Sequence, residues 1–90
     1  MITRQEIENI METFGLKPNE NAGFIYGNGY NLTLLMYDKE TGQAAVWLGT
    51  EFSRWLVLKS TVIELLTNTI VRIKKEQINK ELKKIEEDFQ

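Results

Sequence analysis

The sequence predicts an α+β fold in which a short N-terminal helix, an antiparallel meander of three or four strands and a long C-terminal helix follow one another. Two observations support this prediction. Apolar residues recur with helical spacing at both ends of the chain, and they alternate in the middle, where glycine-containing turns separate short runs. Helices that flank a meander are expected to cover one face of its sheet. With 90 residues, the chain is expected to form a single domain.

The first predicted element is an amphipathic helix over residues 3–15. Thr3 and Glu6 have the spacing of a capping box, in which each side chain binds the backbone N–H of the other residue. Gly15 is expected to supply a left-handed cap, and Pro18 prevents the helix from resuming. The predicted buried positions follow the spacing i, i+3, i+4 and i+7 and are Ile7, Ile10, Met11 and Phe14.

Residues 23–59 are predicted to form the sheet, after a polar loop at residues 19–22. The sequence Gly27-Asn28-Gly29 lies between two β-prone runs and predicts a type I′ turn, because this turn needs residues that tolerate positive φ. A second, longer hairpin loop is expected to end at Gly42. Alternation over residues 54–58 favours a fourth strand, although residues 50–59 are also compatible with the start of a helix.

The C-terminal helix is predicted over residues 61–89, with a second capping box formed by Thr61 and Glu64. It carries two apolar stripes that are rotated by roughly 110° about the helix axis. The first stripe is predicted to pack on the sheet and consists of Ile63, Leu66, Ile70 and Ile73. The second stripe has heptad spacing, is predicted to be an interaction surface and consists of Val71, Lys75, Ile78, Leu82, Ile85 and Phe89.

The length of this helix makes its partner the main question. About 30 residues span roughly 45 Å, whereas a compact domain of this size has a diameter near 31 Å. The C-terminal half is therefore expected to extend beyond the domain unless the first helix lies beside it. Three partners remain open: the first helix of the same chain, the same helix of a second copy, and a different protein. We expect a homodimer first, the first helix of the same chain second and a different, larger host protein third.

Composition excludes several kinds of chemistry. Histidine and cysteine are absent, so zinc ligands, thiolate nucleophiles and the most common general base are missing. No histidine activates Ser53 or Ser60, and we expect no enzymatic activity, no catalytic residues, no metal and no cofactor. The net charge of −2 and the alternation of lysine with glutamate along the last helix argue against nucleic-acid binding.

We expect a cytoplasmic protein without a membrane partner. No run of about 18 apolar residues is present, and the first residues have neither the basic start nor the apolar run of a secretory signal. Frequent isoleucine, asparagine and lysine suit an AT-rich bacterial or phage genome. The predicted function is that of a small bacterial or phage accessory or inhibitor protein, which self-associates or docks on a partner through its coiled-coil-like C-terminal helix.

An alternative prediction is the binding of a nucleotide-like small molecule. Aromatic side chains at a sheet end can form a stacking platform, and such a platform could be repeated across a dimer interface. The competing interpretation is that these large strand residues fill the small core and that the glycines serve turn geometry. The residues of this possible platform are Tyr26, Asn28, Tyr30, Trp47 and Trp55.

Overall fold

The computed structural model describes the backbone of residues 1–88 and the side chains of residues 1–77. Its four strands form one antiparallel sheet in the order β1-β2-β3-β4. The predicted α+β class and order of elements are confirmed. The elements are α1 (Arg4–Thr13), β1 (Lys17–Asn21), β2 (Phe24–Gly29), β3 (Leu32–Asp38), β4 (Gln43–Val46) and α2 (Lys59–Asp88).

Helix α1 begins and ends where its sequence signals predict. The Thr3 hydroxyl accepts a hydrogen bond from the Glu6 N–H at 3.1 Å, and the Glu6 carboxylate accepts one from the Thr3 N–H at 3.1 Å. Gly15 adopts a φ of 69°, which turns the chain so that the Leu16 N–H donates to the Met11 carbonyl at 2.8 Å. The capping box and the glycine cap are therefore both confirmed.

Strand β1 corrects the prediction of a polar loop at residues 19–22. Lys17 pairs with Asn28 and Asn21 pairs with Phe24, so β1 is an edge strand beside β2. All five side chains of β1 are exposed. The strand is held by backbone pairing and has no apolar face, so its sequence carries no alternation that could have indicated it.

The β2–β3 hairpin turns two residues later than predicted. Tyr30 and Asn31 form the two-residue loop, with φ values of 54° and 63°. The sequence Gly27-Asn28-Gly29 belongs to β2, where the register shifts between Gly27 and Asn28. Both glycines lie in close packing within the strand, because the side chain of Leu16 would be 3.1 Å from a Cβ at Gly27 and 2.8 Å from a Cβ at Gly29. The prediction that residues 27–29 form the turn is wrong.

The chain after β4 also differs from the prediction. Residues 54–58 do not form a regular strand, and isolated bridges from Leu56 to Ala44 and from Phe52 to Trp47 hold this segment against β4. Helix α2 begins at Lys59, so Thr61 lies in its first turn and does not cap it. The Val62 N–H already donates to the Leu58 carbonyl at 3.3 Å.

The second hairpin loop, which joins β3 to β4, is confirmed, because Gly42 has a φ of 72°.

The core lies between one face of the sheet and the two helices. The hydroxyl of the buried Tyr37 donates to the Ile2 carbonyl at 2.7 Å and ties the N-terminus to β3. Ile63 was predicted to be buried, but it lies at the rim and is 37% exposed. The buried apolar row of α2 is rotated toward Val62, Leu66 and Ile70. The sheet contributes Ile25, Leu35, Tyr37, Ala44 and Val46, and α1 contributes Ile7, Ile10 and Met11.

Candidate interaction site

Two hydrogen bonds fix the middle of α2 to the end of β4. The buried Thr69 hydroxyl donates to the Trp47 carbonyl at 2.7 Å, and the Arg72 guanidinium donates to the Leu48 carbonyl at 2.7 Å. Ile73 packs partly against the core. The turn that follows, residues 74–77, is exposed throughout. The helix therefore leaves the domain near Ile73 while its backbone continues to Asp88.

Helix α1 lies beside the first half of α2. Lys59, at the start of α2, forms an ion pair of 3.4 Å with Glu6 in the first turn of α1. Both helices run toward the β2–β3 turn, because Leu16 reaches Gly29 at that end of β2 and Thr69 reaches Trp47 at the corresponding end of β4. Since α1 is roughly 15 Å long, it extends only to about the level of residue 69 on α2. It is therefore well short of Ile78.

The overall dimensions agree with this arrangement. The molecule measures 55 × 22 × 22 Å, and its radius of gyration is 15.3 Å. A compact chain of this length is expected to have a radius of gyration near 12 Å. The difference reflects a single long helix that continues past a small sheet.

The structure describes only the start of the predicted interaction stripe. Val71 is 44% exposed, and Lys75 is exposed. The side chains of Ile78, Leu82, Ile85 and Phe89 lie outside the described residues. In this part of α2, Ile70 and Ile73 face the core, whereas Val71 and Lys75 face away from it. The described residues therefore agree with two apolar rows that face different directions.

The aromatic residues of the possible platform fall into separate groups. Tyr26 lies on the sheet face opposite the helices, with its ring 6.3 Å from that of Phe24. Trp55 stacks with Phe24, at a ring-centroid distance of 6.1 Å and an interplanar angle of 23°. Phe24 thus joins Tyr26 to Trp55, although the sequence argument did not include it. Its position two residues before Tyr26, on the same face of a strand, was the available signal.

The remaining members of the predicted platform lie elsewhere. Trp47 packs against the core and makes an edge-on contact of 5.2 Å with Phe52. Tyr30 is at the tip of the β2–β3 turn, while the Asn28 side chain accepts a hydrogen bond from the Thr33 hydroxyl at 2.7 Å. An open cleft at this end of the sheet is lined by residues that include Lys17, Asn28, Tyr30 and Asn31.

A second apolar surface, which the sequence argument did not single out, lies at the edge of the sheet beyond β4. Its exposed side chains are Trp55, Val57 and Leu58. These residues lie in the segment 54–58, just before α2 begins. Alternation alone could not assign this segment to a strand or to a helix. Leu58 is 61% exposed.

Several ionisable side chains among residues 1–77 form surface ion pairs. Hydrogen bonds from Thr3, and then from Lys59, lower the pKa of Glu6. A hydrogen bond and the charge of Lys39, followed by the charge of Arg4, lower the pKa of Glu20. Burial raises the pKa of the Tyr37 hydroxyl. These shifts follow from capping, pairing and burial.

In the part of the chain that the structure describes, no group of three or more acidic, histidine or cysteine residues is arranged to hold a metal ion. Neither helix, over its described residues, combines the length and apolar character that crossing a bilayer requires.

Comparison of the chain with protein-family models, with curated proteins and with solved structures finds no match.

Proposed function

We propose that this protein is a non-enzymatic interaction protein that self-associates through the C-terminal half of α2. The observation that supports the proposal is the course of α2, whose backbone continues for about four turns after Ile73, the last residue described as packing against the core. A free helix of this length is marginal in water, because its own hydrogen bonds barely offset the cost of nucleation. A packing partner would stabilise it.

The sequence of this segment supports a helical partner. Val71, Ile78 and Ile85 are seven residues apart, and so are Lys75, Leu82 and Phe89. This spacing produces a seam of the kind that two helices bury in a coiled coil. Each apolar side chain that is buried in this way contributes about 1.5–3 kcal/mol.

A second copy is the partner that we favour over α1 or a foreign protein. Helix α1 is attached at Lys59 and reaches only the first half of α2. The charges of residues 61–90 sum to zero, so two copies of this segment can meet without net repulsion. Self-association around a twofold axis is also the most frequent form of protein assembly. In the wider proposal, such a dimer acts as a bacterial or phage accessory or inhibitor protein by covering a surface of a larger protein.

Light scattering over a concentration series tests the self-association. We expect a dimer that the variant Leu82→Asp converts to a monomer, because an aspartate in the seam places an unpaired charge among apolar groups. Gln77→Asp is the matched control: it introduces the same residue on the same half of the helix, at an exposed position well away from the seam. This control is expected to remain dimeric.

A wild-type chain that stays monomeric at every concentration would overturn the proposal. Equal behaviour of the two aspartate variants would also contradict it. Circular dichroism supplies a second readout, since the helical signal of Leu82→Asp should fall below that of Gln77→Asp.

A second candidate function is the binding of a small nucleotide-like molecule at the β2–β3 turn. The observation that favours it is the left-handed conformation of Tyr30, which an aromatic residue rarely adopts and which costs about 1–2 kcal/mol. Tyr30 borders the cleft that also contains Lys17, a cation suited to a phosphate. Thermal-shift measurements with nucleotides test this function, since a ligand at 100 times its Kd stabilises the folded state by about 2.7 kcal/mol. The absence of any shift at millimolar nucleotide would count against it.

A further inference from the structure

The two edges of the sheet differ in their chemistry. Strand β1 forms one edge, and its sequence of lysine, proline, asparagine and glutamate is exposed and polar. Such residues protect an edge against further strand pairing. The opposite edge is formed by the segment 54–58, which we call the apolar edge, and it has the sequence Arg-Trp-Leu-Val-Leu. Only one of the two edges therefore carries the residues that usually prevent strand addition.

The backbone of the apolar edge forms hydrogen bonds to β4 on one side of the segment only, among the described residues. Leu56 exchanges both of its hydrogen bonds with Ala44, at 2.9 and 2.6 Å. In an antiparallel pair, the neighbours of such a residue direct their N–H and C=O groups to the other side. In the described part of the chain, no hydrogen bond engages the N–H of Trp55 or Val57. These two residues present donors and acceptors outward with the spacing that an added strand requires.

The side chains along this edge are apolar and accessible. Trp55 is 42% exposed and Val57 is 49% exposed, both on the sheet face opposite the helices. Leu58 is exposed near the start of α2. A groove of about 280 Å³ runs along the segment and is lined by Arg54, Trp55, Leu56, Val57, Leu58 and Thr61. An extended peptide in this groove would be recognised by main-chain pairing and by apolar side chains at alternate positions.

The charge of the edge decides which occupant fits. Arg54 and Lys59 flank the apolar residues, and no acidic residue lies between them. The described ion pairs include Lys59 with Glu6 but do not include Arg54. A second copy of the segment would bring another arginine and no carboxylate to this edge. An acidic peptide would instead place an opposite charge beside Arg54, and opposite-charge pairs stabilise a ladder, so an acidic peptide is favoured over a second copy.

We propose that the apolar edge binds an extended segment of another protein as an added strand. The segment is apolar at the alternate positions that face Trp55 and Val57, and it is acidic at the end that lies beside Arg54. This proposal does not depend on self-association through α2, because it uses a different surface.

Two capped synthetic peptides serve as probes. Both alternate valine with threonine at the centre; one ends in aspartates and the other ends in lysines. Isothermal titration is expected to show binding of the aspartate peptide at least tenfold tighter than that of the lysine peptide, with a smaller ratio at high salt. Absence of binding by both peptides at millimolar concentration overturns the proposal, and so does tighter binding of the lysine peptide.

A backbone substitution separates strand pairing from simple apolar contact. Val57→Pro removes one outward N–H and leaves the bonds of Leu56 to Ala44 in place, whereas Val57→Thr keeps the N–H and the branched shape. We expect Val57→Pro to bind the aspartate peptide about tenfold more weakly than the wild type, or weaker still. The affinity of Val57→Thr for this peptide should stay within about threefold of the wild-type value. Equal affinities of the two variants would overturn main-chain pairing.

Modified peptides keep the test valid if Val57→Pro does not fold. Methylation of the peptide nitrogens that face the edge should abolish binding, and methylation of the alternate nitrogens should leave it intact. Equal effects of the two methylation patterns overturn the proposal. Light scattering completes the design: a wild-type dimer that Val57→Pro dissociates would identify a second copy as the occupant and refute an acidic peptide. If Leu82→Asp abolishes dimerisation and leaves peptide binding unchanged, the edge and α2 act as separate surfaces.

Discussion

The side chain of Leu16 lies against the backbone of Gly29, so that a Cβ at this glycine would be 2.8 Å from Leu16 Cδ2. At Gly27 the corresponding distances are 3.1 Å to Leu16 Cδ1 and 3.2 Å to the Cβ of Leu35. Neither glycine has a left-handed φ. Their lack of a side chain therefore matters for space: they let the connection from α1 to β1 pack closely on β2.

The first prediction concerns this close approach. Gly29→Ala is expected to destabilise the fold by about 1 kcal/mol, the lower end of the cost of overpacking, because the Leu16 methyl group that it meets can shift. Urea unfolding measures the change. In a double-mutant cycle with Leu16→Ala, the cost of Gly29→Ala should fall by at least about 0.5 kcal/mol, since the clashing atoms are gone. Additive effects of the two substitutions would show that Leu16 is not the cause.

The same contact explains one limit of the sequence argument. Asn-Gly between β-prone runs is a strong indication of a tight turn because of its backbone preference. Here Gly29 is needed for packing, and the turn moves to Tyr30 and Asn31. The local preference did not decide the position of the turn, and the contact with Leu16, in the connection between α1 and β1, is one that the sequence pattern does not report.

Elements with their own local signals could be predicted, and elements without them could not. Helix α1 has a capping box, an apolar row and a glycine cap, and all three are found. Strand β1 has only polar residues and proline, so its position follows from pairing with β2 alone. The apolar edge was missed as a surface because alternation indicates a strand without showing which side of it is paired. The length of α2 could be predicted, since apolar residues continue to Phe89.

The second prediction concerns the strained Tyr30. Tyr30→Gly is expected to stabilise the fold by up to about 1 kcal/mol, because glycine removes a left-handed penalty of about 1–2 kcal/mol and loses part of that gain through its flexibility in the unfolded chain. Thermal unfolding measures the effect. Tyr30→Ala is the control, since alanine keeps the penalty and should not stabilise. A destabilised Tyr30→Gly would mean that the tyrosine ring contributes more to folding than its conformation costs.

The third prediction tests the attachment of α2 to the sheet. Thr69 is only 3% exposed, and Thr69→Val leaves the Trp47 carbonyl without its partner at a cost of about 1–3 kcal/mol. Thr67→Val is the matched control on the same helix: the exposed Thr67 hydroxyl bonds only to the Ile63 carbonyl of its own helix at 2.7 Å. This control should change the free energy of unfolding by less than about 0.5 kcal/mol. Equal costs of the two substitutions would show that the bond to Trp47 does not anchor the helix.

The fourth prediction is a loss of stability in acid that depends on two carboxylates. The pKa of Glu6 is lowered by hydrogen bonds from Thr3 and by Lys59, and the pKa of Glu20 is lowered by Lys39 and Arg4. A carboxylate whose pKa is lower in the folded state than in the unfolded state stabilises the folded state. This stabilisation is complete when the pH is above the ordinary pKa of 4.5, and it is lost as the pH falls through the folded-state pKa. The melting temperature is therefore expected to fall between about pH 5 and about pH 3.

The double variant Glu6→Gln/Glu20→Gln isolates this effect, because glutamine keeps a capping oxygen at residue 6 but does not titrate. Its melting temperature at neutral pH should be lower than that of the wild type, and its decrease in acid should be smaller, so that the two curves converge at low pH. Glu12→Gln on the exposed side of α1 is the control, since Glu12 belongs to none of the described ion pairs. Its curve should run parallel to that of the wild type. If the double variant also runs parallel to the wild type, the pairs around Glu6 and Glu20 do not contribute to the stability of the fold.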